Sequence, residues 1–468
     1  MKHSSEVESR TRDGAHLDAP RLARAGVLDT IAIVGGVLVP LVAVGVVARR
    51  KHMVRLAGRL DTDRRAARTL AHLRSKYRAD AVRLAFPRAV VVALTPTAVT
   101  VTLDGTPEPF TPASREKRAA LSRFQPTGVL ISNASHRAIR RPLNERVLET
   151  GSDLHTLAPR FSVVVEAEIA HLLDEISDGL LTWDDFAIAH WRAVRRLVFG
   201  DNARNDHEIT DLLTSLRRDA NWSYAYPHHR SRYERFRTRL DGLVDDAPDD
   251  SLAGVVAAST TLGDDADPTG QIPHWLFAFD AVAAATYRAL ALLAAHPDVA
   301  ACARTEIREQ DAGGSSVLPT LRGSVLESLR LWPTTPAILR EATQDVLWDG
   351  GVIPHGATTV IISQYFHRDP DAIESADRFM PREWTSGRLQ EVAGVVPFSD
   401  GAGECPGRNV VMLFSSLMLA TLIRHFDVHD NILSPQVGNA ESDMPWALDH
   451  FDLKVTLSRS DGARIVPS

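Results

Sequence analysis

From about Asn133 onward the chain repeats apolar residues every three to four positions, in SVVVEAEIAHLLDEI, DFAIAHWRAVRRLVF, HWLFAFDAVAAATYRALALLAAHP and LRGSVLESLRLW. That spacing gathers the apolar side chains on one helical face. Most of the chain is thereby committed to α structure, and no alternating strand and helix rhythm supports a doubly wound parallel sheet. Strand character is brief. AVVVALTPTAVTVTL is rich in β-branched residues and predicts a short hairpin, and TTVIIS and FDLKVTLS supply later segments. The expected fold class is mainly α with a small β region.

A second constraint lies upstream. Residues 31–48, IAIVGGVLVPLVAVGVVA, hold no charge and are followed at once by RRKHMVR. An apolar run of this length with a positive flank fits a minimal membrane span that leaves the bulk of the chain in the cytoplasm. The competing reading is a buried or interfacial helix, because the run is short, carries Gly35, Gly36 and Gly45, and is broken by Pro40. A cleaved secretory signal fits worse, since Asp18 and Asp29 precede the run and no small-residue cleavage pattern follows. Residues 1–25 are polar and mixed in charge and read as a disordered tail, with the apolar segment over 26–50.

Composition narrows the partners. Hydrophobic residues are 44% and charged residues 24% of 468, as in a soluble globular protein with a substantial core. A net charge of -6 leaves no basic footprint for nucleic acid. Cys302 and Cys405 are the two cysteines, too few for a disulfide framework or a four-cysteine zinc site, which points to a reducing compartment and cytoplasmic folding.

Cys405 sits in VPFSDGAGECPGRNVV. Glycines 401, 403 and 407 leave little bulk around it, so a flat ligand or a close backbone could approach the sulfur. Pro406 fixes the chain as it enters the apolar helix RNVVMLFSSLMLATLIRHF. At a helix N-terminus the unpaired N–H groups and the dipole favour thiolate over thiol. A soft anionic ligand in a dry interior suits a metal with one protein thiolate. Haem iron fits best, because no partner cysteine or histidine cluster with zinc spacing lies nearby. The bland alternative is an inert buried cysteine.

Phe398, Gly401, Cys405 and Gly407 stand in the spacing F-x-x-G-x-x-x-C-x-G, and here the chain resembles the haem-thiolate monooxygenases, the cytochrome P-450 superfamily. Other segments agree in order. Glu327 and Arg330, in ESLR, share a helix face and can pair, although a surface ion pair is the ordinary meaning of such a spacing. HRDP at 367–370 and DRFMPREW at 377–384 follow, then the cysteine loop. His136 and Arg140, four apart on a helix, offer two donors for a carboxylate, and by the resemblance they contact a haem propionate, as does Arg340.

The resemblance implies one domain over 51–468 holding haem b between the Asp280 helix and the Cys405 helix, with Cys405 as proximal ligand and Phe398, Gly401 and Gly407 shaping the loop under the cofactor. Phe277, Phe279, Thr335, Pro336 and Ile338 then line the distal pocket, which favours a lipophilic substrate. The implied reaction inserts one oxygen atom from dioxygen, with electrons from NAD(P)H through a separate ferredoxin and reductase docking near Arg408, since 468 residues leave no room for an attached flavin or iron–sulfur domain.

Three departures stand out. Gly403 occupies a position where the family usually has Arg or His. Arg382 is one place out of register with the arginine that normally joins the Glu327–Arg330 pair, and Arg378 is the alternative. The oxygen-binding helix reads Phe277-Ala278-Phe279-Asp280-Ala281-Val282, keeping the acid without the usual threonine, so Asp280 is the expected catalytic proton carrier. Loss of the threonine motivates two rivals, a peroxide-dependent oxygenase and a haem-dependent rearrangement enzyme that imports no electrons. The sum of departures motivates a third, a non-catalytic haem-binding or sensor protein.

Overall fold

A computed structural model describes residues 20–429 and 442–459, apart from positions 87, 177–178, 259–263 and 314–316. It begins with strand β1 (Leu22–Arg24), parallel to β2 (Ala81–Arg83). The expected tail therefore ends earlier than residue 25: residues 1–19 lie outside the described residues, while Leu22 is buried and its backbone is paired.

The apolar run forms helix α1 (Val27–Val44). Pro40 does not break it, because residues Val34–Leu38 widen into a π turn. The proline ring would clash with the carbonyl four residues back, and the wider turn with side-chain-free Gly35 and Gly36 relieves that clash. The helix stops at Gly45, whose φ of 97° excludes an ordinary side chain; a Cβ there would lie 2.2 Å from the Ala48 carbonyl oxygen. Thr30, Ile33 and Val37 are buried against the fold. Val27, Leu28, Ile31, Val39 and Val42 point outward and stay exposed. The segment is thus docked along one face and apolar along the other.

The main sheet also contains β3 (Val90–Ala93), β4 (Phe110–Thr111), β5 (Ala337–Ala342) and β6 (Thr358–Ile362), in the order β1-β2-β3-β6-β5-β4. Strands from the start of the chain thus pair with strands from its last third, Val91 against Thr359 and Phe110 against Ala342. The expected hairpin over AVVVALTPTAVTVTL is half right. Its second half is the helix Pro96–Asp104, in which the Thr95 hydroxyl accepts from the Ala98 N–H and Pro96 opens the first turn. Capping and burial of Ala98, Val99, Thr102 and Leu103 override the β propensity of its threonines and valines. A separate three-stranded sheet joins Leu180–Thr182, Phe426–His429 and Lys454–Arg459.

Four further helices frame the interior: α2 (Ala134–Val147), α3 (His207–Ala220), α4 (Ile272–Ala295) and α5 (Pro319–Leu331). The last long one, α6 (Arg408–His425), packs against α4 and α5. Two anchors hold α4. The Tyr287 hydroxyl lies 2.9 Å from the carbonyls of Leu181 and Leu453, and His190 Nε2 donates to the Phe279 carbonyl at 2.9 Å.

Glu327 and Arg330 on α5 are wholly buried, so the surface reading of this pair is excluded. Arg330 grips the Glu327 carboxylate with Nε at 2.6 Å and Nη2 at 2.8 Å, and donates to the carbonyls of His367, Ala376 and Arg378. Glu327 also accepts from the Met380 N–H at 2.8 Å and from Trp384 Nε1 at 2.7 Å. Trp384, rather than Arg378 or Arg382, is the third partner. Pro381–Thr385 forms one helical turn that aims the indole inward, while Arg378 pairs with Asp443 and Arg382 reaches the Cys302 sulfur.

Removing Glu327 strands a fully buried guanidinium, so Glu327→Ala lowers unfolding free energy by roughly 3–5 kcal/mol in urea titration. Glu383→Ala, which breaks the exposed Arg388–Glu383 pair, changes it by no more than about 0.5 kcal/mol.

Burial holds the His190 imidazole neutral, with its pKa pushed from 6.5 down to about 4. The unfolded chain binds that proton first, so its contribution is complete above pH 6.5 and is lost as pH falls through 4. Denaturation of His190→Gln across this range should show about 3 kcal/mol less acid-induced loss than the wild type.

Candidate functional site

The cysteine loop is tied at both ends. Val396 N–H donates to His367 Nε2 at 3.0 Å, which links the loop to the Glu327–Arg330 network, and Cys405 N–H donates back to the Phe398 carbonyl at 2.9 Å. Between them the chain reverses through Gly401, with φ 60° and a backbone so close to Leu103 that a Cβ would lie 3.0 Å from its carbonyl oxygen. The Asp400 side chain accepts from the Gly401 N–H at 2.7 Å. Gly407 stands 4.0 Å, measured from its Cβ position, from the Cys405 sulfur, so any larger side chain would narrow access to it. Phe398 is partly buried against the helical core and packs under the Arg408 guanidinium at 5.9 Å.

The electrostatics of Cys405 differ from the expectation. Burial pushes its thiol up, and the opposing pull of the Gly407 N–H, Arg141 and Arg408 does not cancel that. A cation beside the sulfur, as metal coordination would supply, favours the thiolate further.

Helix α2 presents a different face from the expected one. Arg137 Nη2 donates to the Ala402 carbonyl at 2.7 Å and Arg141 Nη1 to the Glu404 carbonyl at 2.6 Å. These residues, four apart, share the face turned to the cysteine loop. His136 and Arg140 lie one position away, about 100° round the helix. Arg140 is turned to the Asp265 carbonyl at 3.1 Å and the Ser132 hydroxyl at 2.9 Å, and His136 is half-buried, its N–H capped by Asn133.

Arg340, on β5, is buried and held by neutral oxygens: Thr106 Oγ1, Ser399 Oγ and the Leu339 carbonyl. Lys117 donates to that same carbonyl at 3.1 Å. Burial and mutual repulsion push Arg340 down to about 10, burial followed by the Arg141 charge does the same to Arg137, and Lys117 falls well below its usual range. Among the described residues no carboxylate pairs with any of the three. Gly403 explains the arrangement: a Cβ there would sit 2.5 Å from Arg340 Nη2, so the position must lack a side chain for Arg340 to occupy its place. The result is a cradle of two buried guanidinium groups and a half-buried ammonium without a paired carboxylate among the described residues, suited to a ligand bearing carboxylates.

Helix α4 supplies the opposite wall. His274, Phe277, Ala278, Ala281, Ala284 and Arg288 keep partial accessibility along one stripe. Phe279 does not join them. Two positions on from Phe277, it is turned about 200° away and is buried edge-on against Phe414 at 5.4 Å. Ile338 is likewise buried in the sheet core by strand alternation, and Thr335 is exposed, its carbonyl accepting from Ser363; Pro336 borders a cleft beneath α1. Asp280 Oδ2 accepts from Arg217 Nη2 of α3 at 2.6 Å, and the same nitrogen donates to the Val47 carbonyl at 2.9 Å while the guanidinium covers the Phe277 ring at 4.9 Å. Sequence reasoning missed Lys117, Arg137, Arg217 and His274. None of the four belongs to a motif; burial holds His274 neutral, down at about 4.

A family model of cytochrome P-450 matches residues 272–442, which include the long helix, the Glu327–Arg330 pair and the cysteine loop. The chain is 27% identical over 331 residues to cyclooctat-9-en-7-ol 5-monooxygenase of Streptomyces melanosporofaciens, covering 66% of this chain and 63% of that protein. It is 32% identical over 164 residues to cytochrome P-450 81D1 of Arabidopsis thaliana, 33% of this chain and 31% of that one. It is 31% identical over 131 residues to the human mitochondrial sterol 26-hydroxylase, 27% of this chain and 24% of that one. The chain thus spans less than two thirds of the length of these relatives. With the buried pair on α5, the cysteine at the head of α6 and the matched span between them, the chain belongs to the cytochrome P-450 superfamily.

Proposed function

We propose that this protein is a haem-thiolate monooxygenase acting on a lipophilic small molecule, with Cys405 as the ligand to iron. The reading rests on one juxtaposition: a half-buried sulfur among glycines, open to a metal cation, beside Arg340, Arg137 and Lys117, which pair with no carboxylate among the described residues. Haem suits both. Arg340, Lys117 and Arg137 hold its carboxylates, and Phe398, Gly401 and Gly407 keep the loop thin enough for close approach. When bound, the thiolate-ligated iron supplies the activation of dioxygen.

The chain's own residues do the rest. Phe277, Ala278 and Ala281 form an apolar wall that orients a lipophilic substrate. Asp280 keeps Oδ2 on Arg217 and leaves Oδ1 free to hold or pass a proton, so proton supply is gated by a guanidinium that also binds Val47. Electrons come from NAD(P)H through a ferredoxin and its reductase, docking on the cysteine side near Arg408. The Asp280–Arg217 pair, in a helix without a hydroxyl at 281 or 282, favours peroxide-driven oxygenation as a second reading. The chain works in the cytoplasm, with the exposed face of α1 lying on a membrane surface rather than crossing it. Its buried inner face and the exposed Lys51 beyond its end support that placement.

The purified protein, reduced under carbon monoxide, should give a thiolate-type red-shifted Soret band that Cys405→Ser abolishes; a histidine-type band unchanged by the substitution refutes the reading. Turnover with NAD(P)H, ferredoxin and reductase, and none with peroxide alone, separates the two reactions.

Because the cradle shares the carboxylates among three cations, Arg340→Ala and Lys117→Ala should each release haem to an acceptor globin at least about tenfold faster than wild type, as expected for loss of one charged contact of about 1.4 kcal/mol or more. His136→Ala should not change that rate.

A further inference from the structure

The outer face of α1 is apolar along its length. Val27, Leu28, Ile31, Val39 and Val42 are each more than half exposed, and exposed Val46 follows just beyond the helix. An aromatic ring stands at either end. The Ala85 N–H donates to the Thr30 hydroxyl, which sets the next residue, exposed Phe86, beside the start of α1. Past the other end, Asn221 accepts from the Val47 and Ala48 N–H groups, and the exposed Trp222 ring lies 4.6 Å from the Arg50 guanidinium. Single apolar side chains on a surface need no explanation, but a row of this length marks a contact surface.

One flank of that row is basic. The helix Thr62–Tyr77 packs antiparallel beside α1: Lys76 and Tyr77 at its end both donate to Asp29, while Asp63, Ala66 and Ala67 near its start line a hollow with Val37 and Leu41. Arg65, Arg68 and His72 precede Lys76 by eleven, eight and four residues, so they share the face that meets α1. All three are exposed. Lys76 and Tyr77, and after them His72, hold the Asp29 carboxyl below its usual range, which agrees with this placement.

Residues 49–78 carry eleven arginines and lysines against two aspartates, in a chain of net charge -6. Some of these cations are spent inside the fold, Arg50 on the carbonyls of Val42 and Ala43, Arg55 on Asp452 and Arg74 on Asp369. Lys51, Arg59, Arg64, Arg65 and Arg68 are exposed and make no salt bridge among the described residues. Asp63 lines the hollow under α1, so Asp61 is the remaining acid of the segment. An apolar strip bounded by two rings and bordered by unpaired cations fits the boundary between acyl chains and phosphates. A second copy of this chain fits worse, because two such faces would bring like charges together.

Resting on the placement of α1 against a membrane, we propose that this face docks on the anionic head groups of a lipid bilayer. The outer side chains of α1, Phe86 and Trp222 enter the acyl boundary, and Arg65 and Arg68 meet the phosphates.

The test sediments the haem-loaded protein with vesicles of phosphatidylcholine alone and of phosphatidylcholine with about 30% phosphatidylglycerol. The anionic vesicles should bind it at least about tenfold more tightly, and raising salt from about 0.1 to about 0.5 M should remove most of that preference. Arg65→Gln with Arg68→Gln should weaken binding to anionic vesicles about tenfold and leave neutral vesicles unaffected, whereas Leu28→Ser with Ile31→Ser should weaken both. Arg388→Gln, which removes an exposed cation elsewhere, should change neither. Equal binding to the two vesicles would overturn the anionic docking while leaving α1 on the membrane. Binding to neither, with dimers in sedimentation velocity, would overturn both and assign the face to a second copy. An unchanged thermal midpoint in each variant separates lost docking from lost folding.

Discussion

The buried Glu327–Arg330 pair is the interaction on which the rest of the structure depends. Two opposite charges with no solvent exposure persist only because every remaining donor and acceptor is used. The Arg330 nitrogens pull in the carbonyls of His367, Ala376 and Arg378, and the Glu327 oxygens take the Met380 N–H and the Trp384 indole. Residues 367–384, which hold little regular structure of their own, are thereby clamped to α5. Through His367 the clamp reaches Val396 N–H and the start of the cysteine loop. The position of Cys405 is thus set by charges more than seventy residues earlier in the chain.

Compensation for departures from the family pattern is visible in the same physical terms. Gly403 removes a cation from the cysteine loop, but the space it vacates is where Arg340 lies, with Lys117 and Arg137 beside it. The missing arginine of the Glu327–Arg330 network is replaced by an indole N–H, which satisfies the carboxylate without adding charge. The missing hydroxyls at 281 and 282 have no such replacement on α4. Instead Asp280 is drawn into contact with α3 and, through Arg217, with the backbone at Val47 just beyond α1.

That last contact brings the end of α1 beside the central helix. The cleft under α1 contains Arg49, two residues from Val47, and Arg288, two helical turns from Asp280. A segment that reads as a plain apolar run therefore closes a charged cavity with one face, meets the Asp280–Arg217 pair just beyond its end, and offers an apolar outer face. Asn221, accepting from the Val47 and Ala48 N–H groups, fastens the turn after α3 to the same place.

By itself the sequence determined the helical class, the central helix, the lone cysteine in a loop thinned by glycine, and the pairing of Glu327 with Arg330, because periodicity, turn chemistry and i to i+3 spacing are local properties. It determined too little about direction. Phe277 and Phe279 read alike as aromatic residues, but a helix turns them to opposite sides; His136–Arg140 and Arg137–Arg141 have identical spacing, and only the packing of α2 on the loop selects the second pair. The helix over Pro96–Asp104 was hidden by β-branched residues, because its cap and its burial outweigh a weak propensity. Lys117, Arg217 and Arg49 carried no local signal. Their significance arises from long-range burial, which removes water from charges far apart in the chain and leaves them to find their partners in three dimensions.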